Sequence, residues 1–205
     1  MRFHFVLLSL IAIPVFSAMS ALAGVIYTNG PINGGVNAWN VCCGYQVSDS
    51  FTVSSATTIT SFDAGFWLNP GDTPVQVDWS IGSTFFGNDV ASGTAIFSNT
   101  LYCSACGLGV YDIYTSTANG LNVAVSPGTY FLTLENAVTA FGSDMYWDEN
   151  DGSSLAMENP FFGSIGSEAF TIYNAQASIP EPGTLIMVGS GVLGLTVVMR
   201  RKIRF

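Results

Sequence analysis

Apolar and polar residues alternate with a period of two through much of the middle of the chain. Val75, Val77, Trp79 and Ile81 are separated by Gln76, Asp78 and Ser80, and Leu121, Val123 and Val125 by Asn122 and Ala124. Such alternation sets one face of a strand on a core and turns the other toward water. Gly128 to Leu134 continues the pattern after Ser126-Pro127-Gly128, which reads as a turn and predicts a hairpin between the two strands. Further strands are predicted over 48–53, 58–67, 93–97, 111–115 and 169–173. Turns are predicted at Asn69-Pro70-Gly71-Asp72, Asn88-Asp89, Asn119-Gly120 and Asp151-Gly152. No amphipathic helical period interrupts them. The expected fold class is all-β, a single β-sandwich of jelly-roll or immunoglobulin-like type.

The two ends depart from this pattern. Arg2 precedes an apolar stretch from Phe5 to Phe16, and Ala21-Leu22-Ala23 then presents small residues at the positions a signal peptidase reads. Residues 1–23 are therefore expected to be a signal peptide, cleaved before Gly24. Near the other end, Pro180-Glu181-Pro182 is followed by sixteen uncharged residues, Thr184 to Met199, and then by Arg200, Arg201, Lys202 and Arg204. A transmembrane helix is expected at about 184–199. At about 1.5 Å per residue it falls short of the roughly 30 Å hydrocarbon core, although its flanking cations can snorkel to the headgroups. The basic cluster sets that side toward the cytoplasm. The prolines cannot continue a helix, so they hold Glu181 in an extended, accessible segment of the kind a processing enzyme binds. This divides the chain into a leader (1–23), a domain (24–177) and a tail (178–205).

The tail, IPEPGTLIMVGSGVLGLTVVMRRKIRF, resembles a PEP-CTERM sorting signal: a Pro-Glu-Pro motif, a short Gly- and Leu-rich helix, and an Arg-rich terminus. In this chain the motif falls on Pro180, Glu181, Pro182, Arg200, Arg201 and Lys202. The resemblance implies an exosortase-type processing enzyme as partner, an inner-membrane precursor in a Gram-negative bacterium, and a mature product at the cell surface or in the extracellular matrix. It implies nothing specific about the domain that the tail delivers.

Charge narrows what that domain can do. All five Lys and Arg residues and the single His lie in the two ends, and of the fourteen acids only Glu181 lies outside residues 24–177. Without cations there is no footprint for nucleic acid. Nor is there a Ser-His or Cys-His pair, a Schiff-base lysine, an arginine clamp or a histidine metal ligand. The expectation is of no enzyme. Carboxylate chemistry of the glycosidase kind is the remote alternative, with Glu135, Asp144, Asp148, Glu149, Glu158 and Glu168 as its raw material.

Three further sets of residues are candidates. The cysteines form two couples, Cys42-Cys43 and Cys103-Ser-Ala-Cys106, expected to be disulfide-bonded in an exported protein. Adjacent cysteines bridge with strain, so pairing across the couples is favoured; each long loop so closed would contribute on the order of 3–4 kcal/mol. The acidic run 144–152 offers Asp144, Asp148 and Asp151 as calcium ligands, set against a solvated loop with Asx turns. No resident cofactor is expected, with calcium at the acidic run as the alternative, and a zinc site on the four cysteines is set against their disulfides. Trp67 and Trp147 are candidates for an exposed sugar-stacking platform, set against the more common reading of tryptophan as core. The functional expectation is an exported surface or matrix protein with a structural or adhesive role in extracellular polysaccharide. A carbohydrate-binding module, with or without calcium, is the alternative. An ice-binding face would need a regular threonine array, which the sequence does not contain.

Overall fold

The computed structural model describes residues 23–160 and 163–175 of the 205. The predicted leader up to residue 22 and the predicted sorting helix lie outside the described residues. Among the described residues every regular element is a strand, and no helix is long and apolar enough to cross a membrane. The strands are β1 (Ala23–Thr28), β2 (Asn37–Asn40), β3 (Gln46–Val53), β4 (Thr57–Leu68), β5 (Pro74–Gly82), β6 (Ala91–Gly107) and β7 (Tyr111–Val125). They continue as β8 (Gly128–Thr139), β9 (Tyr146–Asn150), β10 (Ala156–Asn159), β11 (Gly163–Ile165), β12 (Ser167–Glu168) and β13 (Phe170–Ala175).

These strands form one open antiparallel sheet in the order β1-β13-β4-β7-β6-β5-β8-β3-β10-β11. Strand β9 pairs with the C-terminal part of β4, and β2 and β12 pair with β9. The long strand β6 belongs to two halves: Ala91–Ile96 pair with β5, and Phe97–Gly107 pair with β7. Inward residues of both halves share one core. Phe62, Phe66, Val123 and Ile172 come from the first half, and Val47, Val77, Ile81, Leu132 and Leu134 from the second. Rings also meet between the halves, Phe51 of β3 lying 6.5 Å from Phe170 of β13.

The alternation read from the sequence is an alternation of facing, although Ser80 is also buried, under the connection that follows β5. In β5, Val77, Trp79 and Ile81 point into the core, and Asp78 and Ser80 lie on the other face. The predicted hairpin is a correction. Strand β7 pairs with β4 and β6, whereas β8 pairs with β3 and β5, so Ser126-Pro127 carries the chain from one half to the other. A Pro-Gly connection can serve either purpose, and the register of the neighbours decides. Asn119-Gly120, predicted as a turn, lies inside β7; Gly120 has φ +80°, and the β4–β7 register shifts there, which marks a bulge.

The alternation rule also fails at Phe66-Trp67. One of two successive strand residues should face water, yet they are 0% and 2% exposed. Phe66 packs on Phe97 in the core, at 5.2 Å between ring centroids. Trp67, on the opposite face, lies over Gly107, where an added Cβ would sit 2.9 Å from the indole ring. The segment Gly30 to Val36 covers the same face next door: a Cβ on Gly65 would fall 2.6 Å from Ile32 Cγ1. This part of β4 is therefore sandwiched between the core and a second layer of chain.

Candidate functional site

The acidic run spreads its carboxylates over different tasks. Asp148, on β9, is fully buried and accepts hydrogen bonds from Trp67 Nε1 at 2.5 Å, Gly34 N at 3.1 Å and Asn33 N at 3.0 Å. Burial pushes this carboxyl up from its ordinary range, an effect opposed by those donors and reinforced by Glu149. Its job is to pin the covering segment onto β4. Asp151 is exposed, and Asp144 lies beside the first cysteine couple, so Asp144, Asp148 and Asp151 do not form a common ligand set. Among the described residues, Cys42, Cys43 and Asp144 are the one group of three carboxylate or sulfur ligands whose atoms approach within 4.8 Å of each other.

The cysteines pair within each couple, Cys42 with Cys43 and Cys103 with Cys106, rather than across them. Position explains this. Cys42 and Cys43 lie between β2 and β3, and Cys103 and Cys106 sit near the end of β6, in the other half of the sheet path from β3. Both sulfurs of the first couple lie 3.5 Å from Asp144 Oδ1. Bonded to one another, they offer no thiolate to a metal.

The tryptophan platform is a second correction. Trp67 is 2% exposed and Trp147 is 0% exposed, so neither presents a ring to a ligand. Each indole N–H is satisfied internally, Trp67 by Asp148 and Trp147 by the carbonyl of Ala169 at 3.0 Å. Trp147 is removed from the surface by the core, where it meets Phe170 edge-on at 5.6 Å, and Trp67 by Gly107 and by Tyr111, whose ring lies 5.9 Å away.

A polar groove of about 310 Å³ lies on the outer face of the other half, across β3, β8, β5 and β6. Register builds it. Gln46, Glu135, Asp78 and Thr94 stand directly opposite one another on the four successive strands. Two residues along, on the same face, Ser48, Thr133, Ser80 and Ser92 form a second row. Gln46 donates its amide to Glu135 Oε2, Thr94 donates its hydroxyl to Asp78 Oδ1 at 2.5 Å, and Asn136 donates to Asp78 Oδ2 at 3.1 Å. Cross-strand neighbours on one face stand about 5 Å apart at Cβ, so Asp78 and Glu135 are adjacent acids.

One wall is the connection between β5 and β6, which contributes Phe86 and Asn88. It is tied down at several points. Phe86 N donates to Ser48 Oγ at 3.3 Å, Ser80 Oγ donates to Gly87 O at 3.0 Å, and Asp89 accepts from both the N–H and the hydroxyl of Ser83. Trp79 contributes as well: it belongs to the core but borders the groove over Gly93, where a Cβ would lie 3.3 Å from the indole. The groove thus combines two acids, a set of hydroxyls and amides, and aromatic edges in a fixed cradle.

Residues 178–202 match the profile of the PEP-CTERM protein-sorting motif. The chain carries a PEP-CTERM sorting signal. The match includes Pro180, Glu181, Pro182, Arg200, Arg201 and Lys202, all of them outside the described residues. A PEP-CTERM motif implies an exported protein sorted by an exosortase from a membrane-anchored precursor in a Gram-negative bacterium. No curated protein matches the chain. The PEP-CTERM signal therefore addresses a domain whose chemistry has to be read from its own residues.

Proposed function

We propose that this protein is a surface or matrix component that holds extracellular polysaccharide in the groove across β3, β8, β5 and β6, its strands folded as a β-sandwich. The observation that supports this reading is the two aligned rows of polar side chains, with Asp78 and Glu135 at their centre. Sugars present dense hydroxyls, which carboxylates and amides hold through paired hydrogen bonds, while the apolar faces of the rings rest on aromatic edges. The acids need no cation to accept from hydroxyls. Exosortase-sorted export supports this reading, because it takes the domain out of the cell.

The test is a glycan array probed with the protein, followed by titration of the strongest ligand against Glu135→Ala and Asp78→Ala. Each variant should weaken binding at least tenfold without lowering Tm by more than a few degrees, because both side chains lie on the outer face. No glycan bound at millimolar concentration would overturn the reading. A second reading, glycoside hydrolysis by the Asp78–Glu135 pair, rests on their adjacency in one groove. Release of new reducing ends by the wild type, lost in Asp78→Asn, would favour it over simple binding.

A further inference from the structure

Two acids occupy positions that the strand pattern reserves for apolar side chains. In β3, Asp49 stands on the inward face between Val47 and Phe51 and is 0% exposed. Glu168 of β12 precedes Phe170 and Ile172 at the same alternate spacing and is also 0% exposed. Asp49 lies on β3, in one half of the sheet, and Glu168 on β12, which joins the other half through β9 and β4; the N–H of Glu168 donates to Asp49 Oδ2 at 2.7 Å.

Around them oxygen exceeds what hydrogen can satisfy. The side-chain nitrogen of Asn29 lies 3.1 Å from Asp49 Oδ2, 2.6 Å from Ser154 Oγ and 2.7 Å from the carbonyl of Glu168, and also hydrogen-bonds Ser167 Oγ. An amide has two hydrogens to offer those four oxygens. Asp49 Oδ1 and both carboxylate oxygens of Glu168 are buried and accept no hydrogen bond from the described residues. No residue from 5 to 199 is Lys, Arg or His, so no side chain of the domain can neutralise either acid. The acids that bear on Glu168 add to the excess: Asp49 first, then Glu149 and Asp148. Gly152 keeps one side of the cluster clear, since a Cβ there would lie 2.7 Å from Asn29 Oδ1.

We propose that Asp49 and Glu168, with oxygens of Asn29, Ser154, Ser167 and the Glu168 carbonyl, hold a calcium-type divalent cation that staples the two halves together. Buried charges are tolerated when they are paired or coordinate a metal, and here residues 5–199 supply no pairing cation. Two carboxylates balance one divalent ion. A donor set of carboxylate, hydroxyl, amide and carbonyl oxygens, with no imidazole or thiolate, selects a hard cation. Turning the Asn29 amide by half a rotation presents its oxygen instead of its nitrogen and converts the surplus of acceptors into ligands. The site is separate from the groove, so each can fail without the other.

The full chain in detergent, stripped with chelator, is the material for the test, and calcium or terbium alone is the probe. Extracellular calcium modules bind at about 10⁻⁴–10⁻³ M, so 10 mM calcium should raise Tm by roughly 5–10 °C over the chelated protein at the tight end of that range. Terbium should luminesce on excitation of tyrosine, since Tyr27 donates its hydroxyl to Asn29 at 3.1 Å. Glu168→Gln and Asp49→Asn should each abolish the calcium-dependent rise. Asp49→Asn serves where Glu168→Gln does not accumulate. A wild-type Tm indifferent to calcium, with no sensitised terbium signal, would overturn the proposal and leave the two acids as protonated carboxyls. So would a calcium response that survives both substitutions.

Discussion

Asp148 shows how a single carboxylate organises its surroundings when no cation is near. It spends its two oxygens on three N–H donors from Trp67, Asn33 and Gly34, and its own carbonyl accepts from Ala169 N at 2.7 Å. Hydrogen bonds to a buried charged group are worth about 1.5–3 kcal/mol each, and orphaned donors add a desolvation cost. Asp148→Asn keeps one oxygen where Trp67 and Gly34 need it and should cost about 1–2 kcal/mol. Asp148→Ala orphans all three donors and should cost about 3 kcal/mol or more, measured by urea denaturation. Asp72 is the contrasting case. Burial pushes its carboxyl up, but bonds from Ser143, Phe141 and Thr73 outweigh that and hold it well below the usual range. Neither role could be recognised in the sequence, where Asp148 is one of several acids in a run and nothing marks its donors, 81 and about 115 residues away.

At the level of the element, the turn from β5 to β6 is the most constrained. A Cβ on Gly82 would lie 2.6 Å from the Cα of Gly87, and backbone cannot swing aside as a side chain can. Gly82→Ala should therefore cost about 1–3 kcal/mol and, by displacing Phe86 and Asn88, weaken glycan binding more than it lowers Tm; titration beside thermal melting would check this. The strands themselves were legible: the alternation in β5 and β8 is strict enough to give both their presence and their inward residues. What the strands pair with was not legible. The groove exists because Gln46, Asp78, Thr94 and Glu135 come into register across four strands, and no local pattern encodes that distance. The disulfides were legible as residues and not as partners. Cys103 and Cys106 close so short a loop that the chain-entropy gain is about 2 kcal/mol, below the 3–4 expected of long loops. One overlooked signal was present, an acid at Asp49 in the apolar slot between Val47 and Phe51.

For the molecule as a whole, the decisive fact is a domain with acids on both sides of its sheet and no cation of its own. Burial, only partly offset by Ser154 and by the N–H groups of Glu168 and Ser50, raises Asp49 from 3.8 to about 6, and burial together with Asp49, Glu149 and Asp148 raises Glu168 as well. In chelator the folded chain therefore holds protons that the unfolded chain has released. Stability should rise as pH falls from 7 through about 6 toward 4, where the unfolded carboxyl also becomes protonated. With calcium bound, acid must expel the ion before it can protonate these groups, so the slope should reverse. Melting curves from pH 7 to pH 5, with and without calcium, separate the two behaviours. The facing groups to be considered in that comparison are Asp148 and Glu149 on β9 and the phenol of Tyr27 on β1.

The first and last described strands lie side by side, with Ala23 opposite Ala175. Mechanically, that makes the domain a poor link in a chain and a good hook. Drawing its two ends apart opens β1 from β13 one rung at a time, like a zip. A pull between Ala175 and a polymer seated in the groove is different, because the force must cross the ladders joining β13, β4, β7, β6 and β5. Under the proposed polymer binding, a load applied in that direction would be resisted by most of the sheet at once.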